Sequence, residues 1–245
     1  MMSGVLLRLR AADGVRLTGR FFPGPDPRAP AVVVGHGFTN GIAKPGSRAV
    51  LAAFAERHSV YAIDFRGHGG SAGFSSVGRD EYLDLDAALA RARADGDRPV
   101  AVVGFSMGAA VALQQAVLGE HRPDAVVAVS APSRWYIRQT VPMRRVHALL
   151  EHPVGALAGR AIGVRLGPQW PQVPPTPLEL VHRIAPIPLL LVHGTADRYF
   201  SPMHATALHA AAGHGELWIE PGMGHAESGS SPELLTRISD WIRGN

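Results

Sequence analysis

Ala31-Val32-Val33-Val34-Gly35 has no polar position, and a run that cannot present a wet face belongs inside a parallel sheet covered on both sides. From this run onward the chain alternates. Strand patterns at Val60–Ile63, Val100–Phe105, Ala125–Val129, Pro188–His193 and Glu216–Ile219 are interleaved with helical patterns at Ser47–Arg57, Arg79–Ala94, Met107–Leu118, Pro202–Ala212 and Pro232–Ile242. The helix at 79–94 places Tyr82, Leu85, Leu89 and Ala92 on one face. Ahead of them, Val5–Ala11 and Val15–Phe22 flank Asp13-Gly14, a pair suited to the positive φ of a tight hairpin. The expectation is an α/β fold with an eight-stranded, mostly parallel sheet and helices on both faces, because right-handed crossovers lay each helix over the sheet. Chemistry in such folds sits at the carboxyl ends of strands.

One stretch breaks the rhythm. Residues 131–183 carry eight prolines between two core strands and read as an insertion, so 1–130 and 184–245 form the core and 131–183 a small cap. Within it, 141–164 can form two short helices and 167–177 an extended connector. Following the strand beside the central one, the insertion is expected to lie over the carboxyl-end face; an ordinary surface loop is the alternative.

The strand at 100–105 ends at a serine between two glycines, Gly104-Phe105-Ser106-Met107-Gly108, and a small-residue helix follows. A serine on so tight a turn takes a strained backbone, and side chains two positions either side would collide with its surroundings, so glycine is required there. Its hydroxyl then faces solvent beside the unpaired N–H groups of a helix start, where an oxyanion is favoured. Gly69-Gly70-Ser71-Ala72-Gly73 has the same spacing, but it lies in a polar glycine-rich loop and no helix follows. Context selects Ser106 over Ser71.

A serine hydroxyl needs an imidazole to take its proton and a carboxylate to orient that imidazole. Of 12 histidines, His225 lies in a glycine-rich loop just after the last strand, whereas His182, His193, His204, His209 and His214 read as strand-end, helix-surface or loop residues. Asp197 follows the strand at 188–193. Asp64 ends another strand and competes for the same role, although pairing with Arg66 or with its own loop backbone is the more natural duty.

The order Ser106, Asp197, His225, each after its own strand, resembles that of the α/β-hydrolase family. The resemblance extends over nearly the whole chain through His36-Gly37, Asp64-Phe65-Arg66-Gly67-His68-Gly69-Gly70-Ser71, the turn at 104–108, His193-Gly194-Thr195-Ala196-Asp197 and Gly224-His225. It implies Ser106 as nucleophile, His225 as base, Asp197 as its orienting acid, and the backbone N–H groups of Phe38 and Met107 as the oxyanion hole. Serine at the turn sets the chain apart from relatives that use aspartate for dehalogenation or epoxide opening, or cysteine for dienelactones. His36-Gly37-Phe38 lacks the Gly-Gly pair of the hormone-sensitive-lipase-like branch, so the small-capped esterase, monoacylglycerol-lipase-like and serine-aminopeptidase-like branch is the nearer resemblance.

The implied activity is hydrolysis of a carboxylic ester through an acyl-enzyme. A thioesterase, an acyltransferase or an amide hydrolase could use the same three residues, and a non-catalytic ligand-binding module is the reading from another class. Trp135, Tyr136, Met143 and Trp170 of the insertion are candidates to line an apolar substrate pocket, with packing inside the cap as the alternative for each. The insertion also holds seven arginines against Glu151 and Glu179, an excess that would concentrate anionic ligands if the cap covers the site; a solvated arginine-rich face is the bland alternative.

A net charge of +4 with Lys44 as the sole lysine, and no basic block or aromatic interleaving, argues against a nucleic-acid partner. Without cysteine there is neither a thiol nucleophile nor a thiolate metal site. No cofactor or metal is expected. Leucine and arginine alternate near the start and no apolar run approaches a membrane span, so a cytoplasmic chain without stable membrane insertion is expected.

Overall fold

The computed structural model describes residues 4–152 and 155–245. Eight strands form one sheet: β1 (Val5–Arg10), β2 (Arg16–Phe22), β3 (Ala31–Gly35), β4 (Val60–Ile63), β5 (Val100–Phe105), β6 (Ala125–Val129), β7 (Leu189–Gly194) and β8 (Glu216–Glu220). Their order is β1-β2-β4-β3-β5-β6-β7-β8. The β1–β2 hairpin and the β2–β4 pair are antiparallel; every pair from β4 through β8 is parallel. The apolar run at 31–35 lies between β4 and β5, buried at all five positions.

Alternation along the central strands divides the core between the two faces of the sheet. Val33, Tyr61 and Val102 face α2 (Tyr82–Ala94), α3 (Met107–Leu118) and α7 (Met203–Ala212), against Leu85, Leu89, Leu113 and Leu208. Val32, Val34 and Val103 face α1 (Pro45–Ala55) and α9 (Pro232–Gly244), against Leu51, Phe54, Leu234 and Ile238. Each such side chain contributes about 1.5–3 kcal/mol on leaving water.

The helix boundaries differ from the sequence expectation where polar chemistry intervenes. α1 begins at Pro45, which occupies its first turn, a position where the missing N–H costs nothing. α2 starts three residues later than the apolar period suggests. Glu81 turns its carboxylate back onto Ser75, Ser76 and Gly78 and holds the preceding residues in a loop. α8 (Ala226–Gly229) has too few residues to show a period.

Between β6 and β7 lie α4 (Val141–Glu151), α5 (Gly155–Ala161), an extended stretch, α6 (Pro177–Leu180) and a 3-10 turn at Val181–Arg183. Pro153 and Val154, within the stretch expected to form two short helices, lie outside the described residues, as do residues 1–3. The extended stretch is tied to the core by bridges from Val164 to His68 and from Leu166 to Ser75. Leu180 and Val181 are buried, and Val181 packs into the core face shared with α3 and α7. α4 seats Met143 with Ile137 on Phe200, in the loop after β7.

Candidate active site

Ser106 sits between β5 and α3 with φ 54° and ψ −116°, a left-handed conformation that costs a non-glycine residue of order 1–3 kcal/mol. The flanking glycines permit it. A Cβ on Gly104 would stand 2.1 Å from the Gly108 carbonyl oxygen, and one on Gly108 would stand 2.3 Å from that of Gly35, so the turn closes only because neither side chain exists.

The structure brings Ser106, His225 and Asp197 into one hydrogen-bonded chain. Ser106 Oγ and His225 Nε2 are 2.9 Å apart, and His225 Nδ1 and Asp197 Oδ2 are 2.7 Å apart. An ionised carboxylate only accepts, so Nδ1 carries the ring proton and Nε2 is left to accept from the serine hydroxyl. Asp197 Oδ1 accepts from the backbone N–H groups of Tyr199 at 2.8 Å and Phe200 at 3.1 Å. Burial opposes charging of the Asp197 carboxyl, yet the His225 ring and these two N–H groups outweigh it and hold its pKa below the usual carboxylate value. The base is braced as well: Tyr199 and Phe200 lie 4.5 and 5.3 Å from its ring centroid, and Ser130 Oγ accepts from Ala226 N, directly after it.

Ser71 and Asp64 serve elsewhere. Buried Ser71 donates to the Asp64 carbonyl and accepts from Thr18 N. The Asp64 carboxylate accepts from Ile42 N at 2.9 Å and Gly70 N at 3.1 Å, which is the loop-backbone duty. Of the two duties expected for Asp64 it is the one the structure has; pairing with Arg66 does not form, because that guanidinium is taken by Asp84 at 2.7 Å and Asp13 at 2.6 Å. His193 is buried at its strand end, with Nε2 3.1 Å from the Phe200 carbonyl.

Sequence reasoning missed the groups that hold the loop after β3. Glu227, buried, accepts from Gly37 N at 2.8 Å, and burial raises its pKa despite that bond. His36 Nδ1 donates to the Gly37 carbonyl at 2.8 Å while Nε2 accepts from Phe65 N; burial, then the neighbouring His68, lowers its pKa to about 3, so the ring is neutral. Asn40 N also donates to the Gly37 carbonyl. In a planar trans peptide the N–H points opposite the carbonyl, so pinning Gly37 O fixes the direction of Phe38 N–H. The Phe38 carbonyl is in turn 2.6 Å from His68 Nε2. The available signal was Glu227 two positions after His225, but the partner lies 190 residues away in sequence.

A cleft of about 260 Å³ opens over Ser106 and His225, with Phe38, Met107, Trp135 and Met143 in its wall. Met107 N is the first N–H of α3 and has no acceptor within the helix. Tyr136 and Trp170 do not reach this cleft. With Trp135 they line a neighbouring cavity of about 380 Å³. Of the seven arginines of the insertion, Arg134 lines the cleft and Arg138 the neighbouring cavity.

Among the described residues no helix is long and apolar enough to cross a membrane. A family model described as the alpha/beta hydrolase family matches residues 31–237. Among solved structures, the chain is similar to the esterase Pf2001 of Pyrococcus furiosus, with a TM-score of 0.77 and 22% identity over 99% of this chain and 93% of that one. It is also similar to the alpha/beta hydrolase GrgF from Penicillium sp. sh18 (0.74, 21%, 99% and 98%) and the esterase RhEst1 from Rhodococcus sp. ECU1013 (0.72, 20%, 97% and 98%).

Proposed function

The chain belongs to the alpha/beta hydrolase family, and from that premise we propose that it hydrolyses carboxylic esters through an acyl-enzyme on Ser106. The hydrogen-bonded chain from Ser106 Oγ through His225 to Asp197 carries this reading. His225 Nε2 takes the hydroxyl proton as Oγ attacks the ester carbonyl, and the imidazolium returns that proton to the leaving alcohol. Water then attacks the acyl carbonyl as the same nitrogen takes its proton, and that proton passes to Ser106 Oγ as the acid is released. The negative oxygen of each tetrahedral intermediate is placed against Phe38 N–H and Met107 N–H, each such donor stabilising the transition state by about 3 kcal/mol. His36 acts on the first of these donors through the Gly37–Phe38 peptide, and Glu227 holds the peptide before it.

The test is a panel of p-nitrophenyl esters of rising acyl length beside acyl-CoA thioesters and aminoacyl amides. Esters are expected to give the highest kcat/KM; faster turnover of thioesters or amides would replace the ester reading with another use of the same residues. Arg134 supports an anionic substrate as a second reading. For a free-carboxylate ester, kcat/KM should then fall as salt rises, while that of its neutral methyl analogue stays flat, since a charge in a partly open cleft is screened within about 10 Å at 0.1 M. Equal salt response would remove the anionic preference.

Acidification should lower kcat/KM. Asp197, held below its ordinary value of 3.8, stays ionised, so loss of the orienting carboxylate is not what lowers the rate. Buried His36 and His204 are pushed down to about 3 and about 4 and remain neutral over the same range. A rate independent of pH would contradict a histidine acting as base.

A further inference from the structure

We infer that the cavity beside the cleft receives a bulky, neutral, apolar arm of the ester, and that Val77 and Trp135 form the partition deciding which arms enter. This rests on the ester-hydrolase reading of Ser106 and adds the substrate class. The two spaces share Val77, Trp135, His147 and Leu150 as lining residues. Beyond that wall the cavity has about 380 Å³, within the range of about 300–1,000 Å³ typical of small-ligand sites.

Val77 has φ 56°, a conformation that a β-branched residue adopts only when its surroundings force it. Glu81, fully buried, supplies that force, accepting from Ser75 Oγ at 2.9 Å, Ser76 N at 2.8 Å, Ser76 Oγ at 2.6 Å and Gly78 N at 2.8 Å. The next residue sets Trp135: a Cβ on Gly78 would stand 2.9 Å from the indole ring. Ser75 is paired with the insertion through its N–H to the Arg165 carbonyl and its carbonyl to Gly167 N. A strained, fully braced residue between two cavities points to selection of what passes it.

The chemistry of the far cavity follows from what its walls have already spent. Trp135 Nε1 donates to the Pro174 carbonyl and Trp170 Nε1 to that of Ser76, which leaves the indoles to offer their faces, set edge to face at 5.6 Å. Arg138 is paired with Glu151 at 2.5 Å. His147 Nε2 accepts from Ile137 N, and its Nδ1 is 3.2 Å from Glu151. Val77, Leu150, Leu166 and the indole faces offer apolar contact, and the Gln169 side chain and Tyr136 hydroxyl beside them are uncharged, so the wall suits a neutral, largely apolar arm.

The experiment compares kcat/KM for p-nitrophenyl octanoate and 2-naphthyl acetate, each divided by that for p-nitrophenyl acetate in the same variant, so that partial misfolding cancels. Trp170→Ala is expected to lower at least one ratio about tenfold, Trp170→Phe to retain it, and Val77→Gly, which relaxes the backbone and opens the partition, to raise it several-fold. The ratio that moves identifies the acyl or the alcohol side. Ratios unchanged in both Trp170→Ala and Val77→Gly would overturn the proposal. Wild-type turnover of none of these esters would sink the ester reading, and the cavity is then decided by N-phenyl-1-naphthylamine. Fluorescence enhancement lost in Trp170→Ala supports it, and none with the wild-type chain overturns it.

Discussion

Ser106→Ala is expected to lower kcat for ester hydrolysis by about 10⁴–10⁶-fold, and a fluorophosphonate probe is expected to label the wild-type chain on the peptide containing Ser106. The expectation comes from three features that meet, among the described serines, at this one alone. Its backbone is held at φ 54°, its hydroxyl is 2.9 Å from an imidazole nitrogen free to accept, and it borders a cleft. Ser71 shares the glycine spacing and supplies the internal control, since its Oγ is buried and committed to Asp64 and Thr18. Mass spectrometry of the digested adduct separates the two sites. An adduct on Ser71, or no adduct on active protein, would remove the foundation of the proposed mechanism. Alanine at 106 keeps the packing but carries the same φ strain, so its stability should change little while its activity collapses.

The sheet and the residues at its strand ends were readable because they are local patterns: β-branched runs, glycines flanking Ser106, and Asp197 and His225 each a few residues beyond a strand. What was not readable depends on contacts between distant segments. Glu227 braces Gly37 across 190 residues of sequence, and Glu81 braces the Val77 loop through bonds that leave no periodic trace. Asp64 and Arg66 are two residues apart and of opposite charge, yet folding gives the arginine to Asp84 and Asp13; proximity in sequence could not foresee better partners on α2 and in the β1–β2 turn. Chemical type alone marks the insertion aromatics as pocket candidates, and type does not say which of two adjoining cavities a ring will line.

Asp197→Asn is expected to leave the fold intact and to lower kcat by about 10⁴-fold, because the amide must sit one way round. Two backbone donors, Tyr199 N at 2.8 Å and Phe200 N at 3.1 Å, converge on Oδ1, so the carbonyl oxygen of asparagine takes that place. Its NH₂ then faces His225 Nδ1, at the position where Oδ2 stood 2.7 Å away. Donor meets donor unless the ring moves its proton to Nε2, and Nε2 so protonated cannot accept from Ser106. The base is lost by tautomer, with every heavy atom in place. Stability should fall only modestly at neutral pH. A carboxyl whose folded pKa is depressed stabilises the fold above its unfolded value, and that contribution is lost as pH falls through the lower folded pKa; the asparagine variant lacks it throughout, so the two proteins should converge in strong acid. Asp64→Asn should behave in the opposite way, lowering the melting temperature by disordering the loop tied through Ile42 N and Gly70 N while retaining most of kcat. Thermal melts beside steady-state kinetics on both variants decide it: were Asp64→Asn the variant that kept its stability and lost its turnover, the carboxylate that orients His225 would have to be sought there and not at Asp197.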